Sequence, residues 1–163
     1  AKQEYFFEEQ LKLAKKYNLP VILHVRRSQD QILKRLRIAK LSGGIAHAFN
    51  GSFIQAEEFL KLNFKLGIGG AMTYERALQI RRLATDLSLD SFVLETDAPD
   101  IPPAWLVQDE NSNSRRNEPY ELKRIAQQFA TLRQISDEQL ALQMRQNLSQ
   151  VLPRWAQFIS PSC

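Results

Sequence analysis

The chain has 163 residues, of which 44% are hydrophobic and 25% are charged, a composition typical of a globular domain with one core. No apolar run approaches the roughly 20 residues that a membrane-spanning helix needs, so we expect no membrane partner. The formal charge is +4, from 22 Lys and Arg against 18 Asp and Glu. This mild excess would favour an anionic substrate, but by itself it is no signature of nucleic-acid binding.

The two ends of the sequence carry separate information. The single cysteine, Cys163, is the last residue, so no internal disulfide can form, and we expect a reducing compartment, the cytoplasm. At the other end, Ala1 leads directly into a helical pattern, with no initiator methionine and no leading strand. We therefore expect this sequence to be a piece of a longer protein.

The first half of the chain alternates helix and strand. A hydrophobic stripe at 2–17 predicts a helix, and the apolar, β-branched run 21–25 predicts a strand that is covered on both faces. Ser28 begins the next predicted helix, and a second strand is then predicted at 45–49 and a third helix at about 52–62. The expected core residues of the helix that Ser28 begins are Ile32, Leu33, Leu36 and Ile38.

The second half continues the alternation and ends in two helices. A third strand is predicted at 64–68, and Thr73 is expected to cap a helix that runs over about 73–87. A fourth strand at 92–95 is followed by a polar loop at about 99–117. The closing helices, of which the second begins with a capping-box pattern, are predicted at 118–133 and 136–151.

Strands that alternate with helices at this pace predict a parallel α/β sheet with right-handed crossover helices. Two architectures fit this pattern, an open doubly wound sheet and an arc of a (β/α)₈ barrel. A complete barrel typically needs about 250 residues, so four strands in 163 residues would make half of one. Periodicity alone does not choose between the two.

Three side chains of the metal-ligand type follow predicted strands at the same edge of the sheet. His24 and His47, the two histidines of the chain, end the first and second strands, and Asp97 follows the fourth. Ligands gather at this edge in parallel α/β proteins, and imidazole with carboxylate suits Zn²⁺, Mn²⁺ or related ions. Each residue also has a structural explanation, because strand-end histidines are more often hydrogen-bonded than metal-bound and Asp97 precedes the turn-forming Pro99. The coincidence of all three favours a metal site.

Three further polar residues are candidates for supporting roles. Glu95 precedes Asp97 by two residues, so it points to the same side of the strand, and a buried carboxylate there needs a partner. Arg26 follows His24 closely enough to contact a substrate phosphate, although a surface ion pair explains it equally well. Arg116 borders the long polar loop, where it would either bind a phosphate backbone or be solvated.

Five short segments occur in order and at compatible spacing over roughly residues 3–151. They are PVILHVR at 20–26, HAFNGS at 47–52, GIGG at 67–70, LETDAP at 94–99 and RNEP at 116–119. Together they resemble the motifs of the TatD deoxyribonuclease family, and five ordered motifs are far more specific than one.

The resemblance implies a (β/α)₈ TIM-type barrel hydrolase with two divalent metal ions, of which residues 1–163 would be the carboxyl-terminal part of a single domain with about four strands. Family members are mostly deoxyribonucleases, often exonucleases that act from the 3′ end, so DNA is the implied substrate. By correspondence, His24 and His47 would help to hold one metal and Asp97 the other. Two ions about 3.5–4 Å apart suit phosphodiester hydrolysis, in which Asp97 would also orient or deprotonate the attacking water.

The chain departs from the family pattern in its ligands. The family supplies a His-x-His pair from its first strand and a metal-bridging Glu near its fourth, and neither occurs here. The visible ligands would therefore make an incomplete site. The alternative to an enzyme is a truncated or degenerate barrel fragment, which would bind nucleic acid without metals or serve as a structural remnant.

Overall fold

The computed structural model describes residues 2–108 and 116–155, and within them a four-stranded sheet is flanked by helices. The strands are β1 (Val21–His24), β2 (Gly44–His47), β3 (Phe64–Ile68) and β4 (Phe92–Leu94). The helices are α1 (Lys2–Lys16), α2 (Gln29–Ala39), α3 (Phe53–Lys61), α4 (Leu78–Asp86), α5 (Ala104–Gln108), α6 (Leu122–Arg133) and α7 (Asp137–Val151). Short 3₁₀ turns occur at Gly70–Thr73, Leu89–Ser91 and Pro119–Glu121. No helix in these two ranges is long and apolar enough to cross a membrane.

The four strands are all parallel, and their order in the sheet, β1-β2-β3-β4, is their order in the chain. The helices α2, α3 and α4 connect consecutive strands. This confirms the predicted parallel α/β fold. The order also lacks the reversal that defines a doubly wound sheet, which favours an arc of the barrel type.

Alternate residues of each strand point to opposite faces of the sheet. One face packs in the main core, and the other carries a smaller apolar cluster and the candidate site residues. The strand residues buried in the main core are Leu23, Ala46, Phe64, Leu66, Ile68 and Phe92. Ile45 and Val93 point the other way and form a small cluster with Val151 of α7. His47 lies two residues after Ile45 and Glu95 two residues after Val93, so both belong to this second face.

The helix expected at 73–87 begins later than the sequence predicts. Gly70–Thr73 forms a 3₁₀ turn, and α4 begins only at Leu78. The Thr73 hydroxyl donates to the Gly70 carbonyl at 2.6 Å and accepts from the amide of Ala104 at 2.8 Å. Thr73 therefore ties the 3₁₀ turn to α5, and the prediction that it caps a helix is wrong.

One expected core residue of α2 lies on the surface. Leu33 and Leu36 are each 2% exposed, whereas Ile38 is 67% exposed. Because each helical residue adds about 100°, Ile38 lies about 200° around the helix from Leu36 and faces solvent. Its assignment to the core is wrong.

The polar loop expected at 99–117 contains α5, and the helix expected from Glu118 begins with a 3₁₀ turn before α6. The indole nitrogen of Trp105 in α5 donates to Oε2 of Glu121 at 2.7 Å, and the Arg124 guanidinium lies 4.3 Å from the centre of the Trp105 ring. These contacts fasten α5 to the start of α6. Residues 109–115 of the loop, and Cys163, lie outside the described residues.

The capping box expected at the start of the last helix is present. The amide of Gln139 donates to the Ser136 hydroxyl at 3.2 Å, and the Ser136 amide donates to Oε1 of Gln139 at 3.1 Å. By contrast, Ser28 occupies the N-cap position of α2 without a capping hydrogen bond from its side chain. The two serines therefore form a matched pair.

We predict that Ser136→Ala lowers the free energy of unfolding by about 1 kcal/mol, because it leaves the first turn of α7 without its side-chain acceptor. Ser28→Ala, which removes no such bond, should change it by a few tenths of a kcal/mol or less. Urea unfolding followed by circular dichroism measures both. Equal losses in the two variants would contradict the assignment of the cap.

Candidate active site

The imidazole of His47 lies between two carboxylates at the carboxyl edge of the sheet. Its Nδ1 is 2.9 Å from Oε2 of Glu95, and its Nε2 is 2.9 Å from Oδ1 of Asp97. His47 ends β2 and both carboxylates follow β4, so the contacts reach across the intervening strand β3. The three side chains are between 17% and 26% exposed, which makes the cluster half-buried.

A glycine in β3 gives Glu95 the space to reach His47. A Cβ atom at Gly67 would lie 2.3 Å from Oε2 of Glu95, far inside any tolerable contact. The second carboxylate oxygen, Oε1, accepts the backbone N–H of Ala48 at 2.6 Å. Glu95 is therefore held by both oxygens, over a strand position where any side chain would displace its carboxylate.

Burial raises the pKa of the Glu95 carboxyl above its ordinary value, while the hydrogen bonds from His47 and the Ala48 amide oppose the rise. A buried carboxylate costs free energy unless it has partners, and Glu95 has one for each oxygen. The same contacts fix the His47 ring through Nδ1. Nε2 is consequently directed at Asp97.

Asp97 reaches His47 from an irregular stretch of backbone. Its φ angle is 55°, in the left-handed region, and Ala48, next to His47, has a φ angle of 46°. Aspartate tolerates this conformation better than most residues, but alanine does not. The Asp100 amide donates to the Asp97 carbonyl at 2.8 Å and closes the turn. Such conformations cluster at functional sites, where the surrounding structure holds them.

His24 lies beside His47, because the two residues are register partners in β1 and β2. Their ring centroids are 5.8 Å apart and the rings are inclined at 36°. The His24 side chain is exposed, as is that of Arg26 two residues beyond the end of β1. The structure thus brings His24, His47 and Asp97 to one edge of the sheet, while their metal-binding roles stay predictions.

The RNEP segment contributes a different residue from the one singled out in the sequence. The Arg116 side chain is 76% exposed, and its Nε lies 3.9 Å from Oε1 of Glu118. Asn117 is instead 1% exposed and donates from Nδ2 to the carbonyls of Thr96 and Asp100. Sequence reasoning missed Asn117, although the motif that pointed to Arg116 contained it.

The donors at this edge fit a divalent metal in kind but not in number. Imidazole nitrogens and a carboxylate are suitable ligands for Zn²⁺ or Mn²⁺. Within residues 2–108 and 116–155, however, no group of three or more His, Cys, Asp or Glu side chains is arranged to hold a metal ion. The described residues alone therefore do not make a complete metal site.

Comparison with protein families supplies the decisive observation. The family model of TatD-related DNases matches residues 1–153 of the chain. The chain belongs to this family. Its four-stranded arc is accordingly a part of the TIM-barrel-type fold that TatD proteins share.

Individual relatives agree with the family assignment. An uncharacterized metal-dependent hydrolase of Haemophilus influenzae is 46% identical over 136 residues, which are 75% of this chain and 51% of that protein. The 3′-5′ ssDNA/RNA exonuclease TatD of Pantoea vagans is 38% identical over 148 residues, 89% of this chain and 56% of that protein. The crystal structure of the TatD homologue YjjV from Escherichia coli superposes with a TM-score of 0.83 at 37% identity, covering 93% of this chain and 57% of that one. This TatD-family chain spans about half the length of the curated relatives it matches.

We predict that Gly67→Ala lowers the free energy of unfolding by about 1–3 kcal/mol, because its Cβ overlaps the Glu95 carboxylate. In a Glu95→Ala background the same substitution should cost much less, since the overlapping atoms are gone. Chemical unfolding of the two single variants and the double variant gives the coupling energy.

Gly69→Ala is the matched control for this cycle. A Cβ atom there would lie 2.8 Å from the backbone oxygen of Glu95, which Glu95→Ala leaves in place. Its cost should therefore be similar in both backgrounds. Equal coupling of Glu95 to the two glycines would contradict the proposed role of Gly67.

Proposed function

We propose that this chain forms part of a metal-dependent hydrolase that cleaves phosphodiester bonds, with DNA as the substrate and exonucleolytic cleavage as the mode. The observation that carries the proposal is the His47 imidazole held between Glu95 and Asp97 at the carboxyl edge of a parallel sheet. Relatives named as a metal-dependent hydrolase and as a 3′-5′ ssDNA/RNA exonuclease support the reaction class.

In this proposal, His24 and His47 contribute ligands to one of two divalent metal ions and Asp97 to the other. Bound ions would polarise the phosphoryl oxygen and lower the pKa of the attacking water. Glu95 holds the His47 ring through Nδ1, which fixes its tautomer and orientation, as carboxylates behind ligand histidines do. The Asp97 oxygen that does not contact His47 would orient the water or accept its proton.

Two exposed arginines flank the edge on which this cluster lies. Arg26 follows β1 and Arg116 precedes the buried Asn117, so we propose that both contact phosphate groups of the substrate. Guanidinium groups suit this role because they donate two parallel hydrogen bonds to phosphate oxygens. The net charge of +4 would assist the approach of a polyanion.

We further propose that residues 1–163 are the carboxyl-terminal part of a single barrel domain in the cytoplasm, whose complete metal site needs donors besides those described. The matched relatives support this, because the aligned region is about half of their length. The intact mass of the polypeptide expressed from its own gene tests it. A mass near 18.8 kDa would contradict the longer domain, and one larger by roughly a hundred residues would agree with it.

We also propose a second candidate function, because no group of three or more His, Cys, Asp or Glu side chains in the described residues is arranged to hold a metal ion. A barrel fragment without metals would act as a nucleic-acid-binding or structural remnant. As a binding protein it would hold oligonucleotide with a steep salt dependence, because each phosphate contact releases counterions. Its affinity would not change when a chelator is added.

We predict that the polypeptide expressed from its own gene degrades single-stranded DNA with Mn²⁺ or Mg²⁺ and that EDTA abolishes the activity. His47→Ala or Asp97→Asn should each lower the rate by a factor on the order of 100 or more, because losing a metal ligand removes several kcal/mol of transition-state stabilisation. Gel analysis of end-labelled oligonucleotides measures the rate and the direction of digestion.

Asp86→Asn serves as the control, because Asp86 is an exposed aspartate that pairs with Arg82 in α4. It should leave the rate unchanged. Metal-dependent rates that survive in both site variants would refute the site. Chelator-insensitive binding of DNA without hydrolysis would favour the second function.

A further inference from the structure

The turn that carries Asp97 does not hold its shape through regular secondary structure. Asp97 lies beyond β4, which ends at Leu94, and its backbone is in the left-handed region. Within the turn, the Asp100 amide donates to the Asp97 carbonyl at 2.8 Å, and the Ala98 amide donates to the Thr96 hydroxyl at 3.3 Å. Two such short-range bonds leave the remaining carbonyls of the turn in need of donors.

Asn117 supplies those donors from a distant part of the sequence. Its Nδ2 donates to the Thr96 carbonyl at 2.7 Å and also to the Asp100 carbonyl. These two carbonyls precede and follow Asp97 along the chain. One amide group therefore bridges the two ends of the turn that presents Asp97 to His47.

The burial of Asn117 points to the same conclusion. The side chain is 1% exposed, and in the described residues its Oδ1 atom has no hydrogen-bond partner. A buried asparagine with a free acceptor costs stability compared with a residue that satisfies all its polar atoms. The hydrogen bonds that Asn117 makes from its side chain in the described residues are therefore the two that it donates to the Asp97 turn.

We infer that Asn117 is a positioning residue that fixes the backbone of Asp97, and so the distance between Asp97 and His47, in the proposed active site. This inference rests on the proposed function for its consequence in catalysis. The two hydrogen bonds from Asn117 to the turn do not themselves depend on a bound metal. Neither hydrogen bond involves Asp97 directly, so Asn117 acts through the shape of the turn.

The chain contains a matched control for this residue. Asn147 in α7 is 0% exposed, and its Nδ2 also donates to two backbone carbonyls, those of Leu89 at 2.9 Å and Phe92 at 2.7 Å. Those carbonyls lie at the amino end of β4, away from the His47 cluster. Asn117→Ala and Asn147→Ala therefore both remove a pair of donated hydrogen bonds, from opposite ends of one strand, and Asn147→Ala also removes the bond that Oδ1 accepts from Gln143 at 2.8 Å.

The first measurement is amide hydrogen exchange, resolved by NMR, in the metal-free full chain and both variants. The rate at Asp100 in each variant is divided by its rate in the wild-type protein, and the rate at Leu66 in the central strand β3 reports any loss of global stability separately. Asn117→Ala should raise this ratio at least about tenfold, whereas Asn147→Ala should leave it unchanged. An equal ratio in the two variants would overturn the inference.

The second measurement is the affinity for Mn²⁺ by titration calorimetry. Asn117→Ala should weaken binding about 10–100-fold, the range found when residues that orient ligands are removed, and Asn147→Ala should not weaken it. Similar Mn²⁺ affinities in the two variants would also count against the inference. If Asn117→Ala does not fold, Asn117→Ser is measured instead, because it keeps one donor. It should show the same changes at smaller size. A serine variant that matches the wild type in both measurements would overturn the inference.

The two measurements separate this inference from the proposed function. If the wild-type polypeptide expressed from its own gene binds no Mn²⁺, the metal-dependent hydrolase is contradicted. The exchange ratio then decides the role of Asn117 by itself, because it is measured without metal.

Discussion

The contact on which the rest of the site depends is the double carboxylate environment of His47. Carboxylate oxygens of Glu95 and Asp97 lie 2.9 Å from the two ring nitrogens, so acidic groups face the ring from both sides. Half-burial strengthens the effect of these groups on the ring, because the carboxylates are only partly solvated. The edge of the sheet is thus arranged to hold positive charge between β2 and β4.

Several local features of the fold make this contact possible. Gly67 leaves the space over β3 that Glu95 fills, and the left-handed backbone at Ala48 turns its amide toward Oε1 of Glu95. Asp97 contacts the opposite side of the ring, and its backbone is in the left-handed region. The turn that contains it accepts a hydrogen bond from the Asn117 side chain at the Thr96 carbonyl. The main core lies on the other face of the sheet, and on this second face the polar residues follow the small apolar cluster of Ile45, Val93 and Val151.

The sequence predicts those features that arise from residues close together along the chain, and it does not predict contacts between residues far apart along it. The parallel sheet and the Ser136 cap follow from local patterns, and strand alternation indicates that Glu95 and Asp97 point the same way. Thr73 was misassigned because its hydroxyl bonds to Ala104, 31 residues away. Asn117 was missed for the same reason, since its partners lie 21 and 17 residues earlier and no local rule connects them.

The binding of a divalent cation beside His47 is tested by adding substoichiometric Mn²⁺ to the isotope-labelled polypeptide expressed from its own gene and recording its NMR spectrum. Paramagnetic broadening falls steeply with distance from the ion. We predict that the signals of His24, His47 and Asp97 broaden at the lowest Mn²⁺ ratio, while those of Asn147, at the amino end of β4, broaden only at higher ratios. Uniform broadening, or broadening that begins elsewhere, would contradict it.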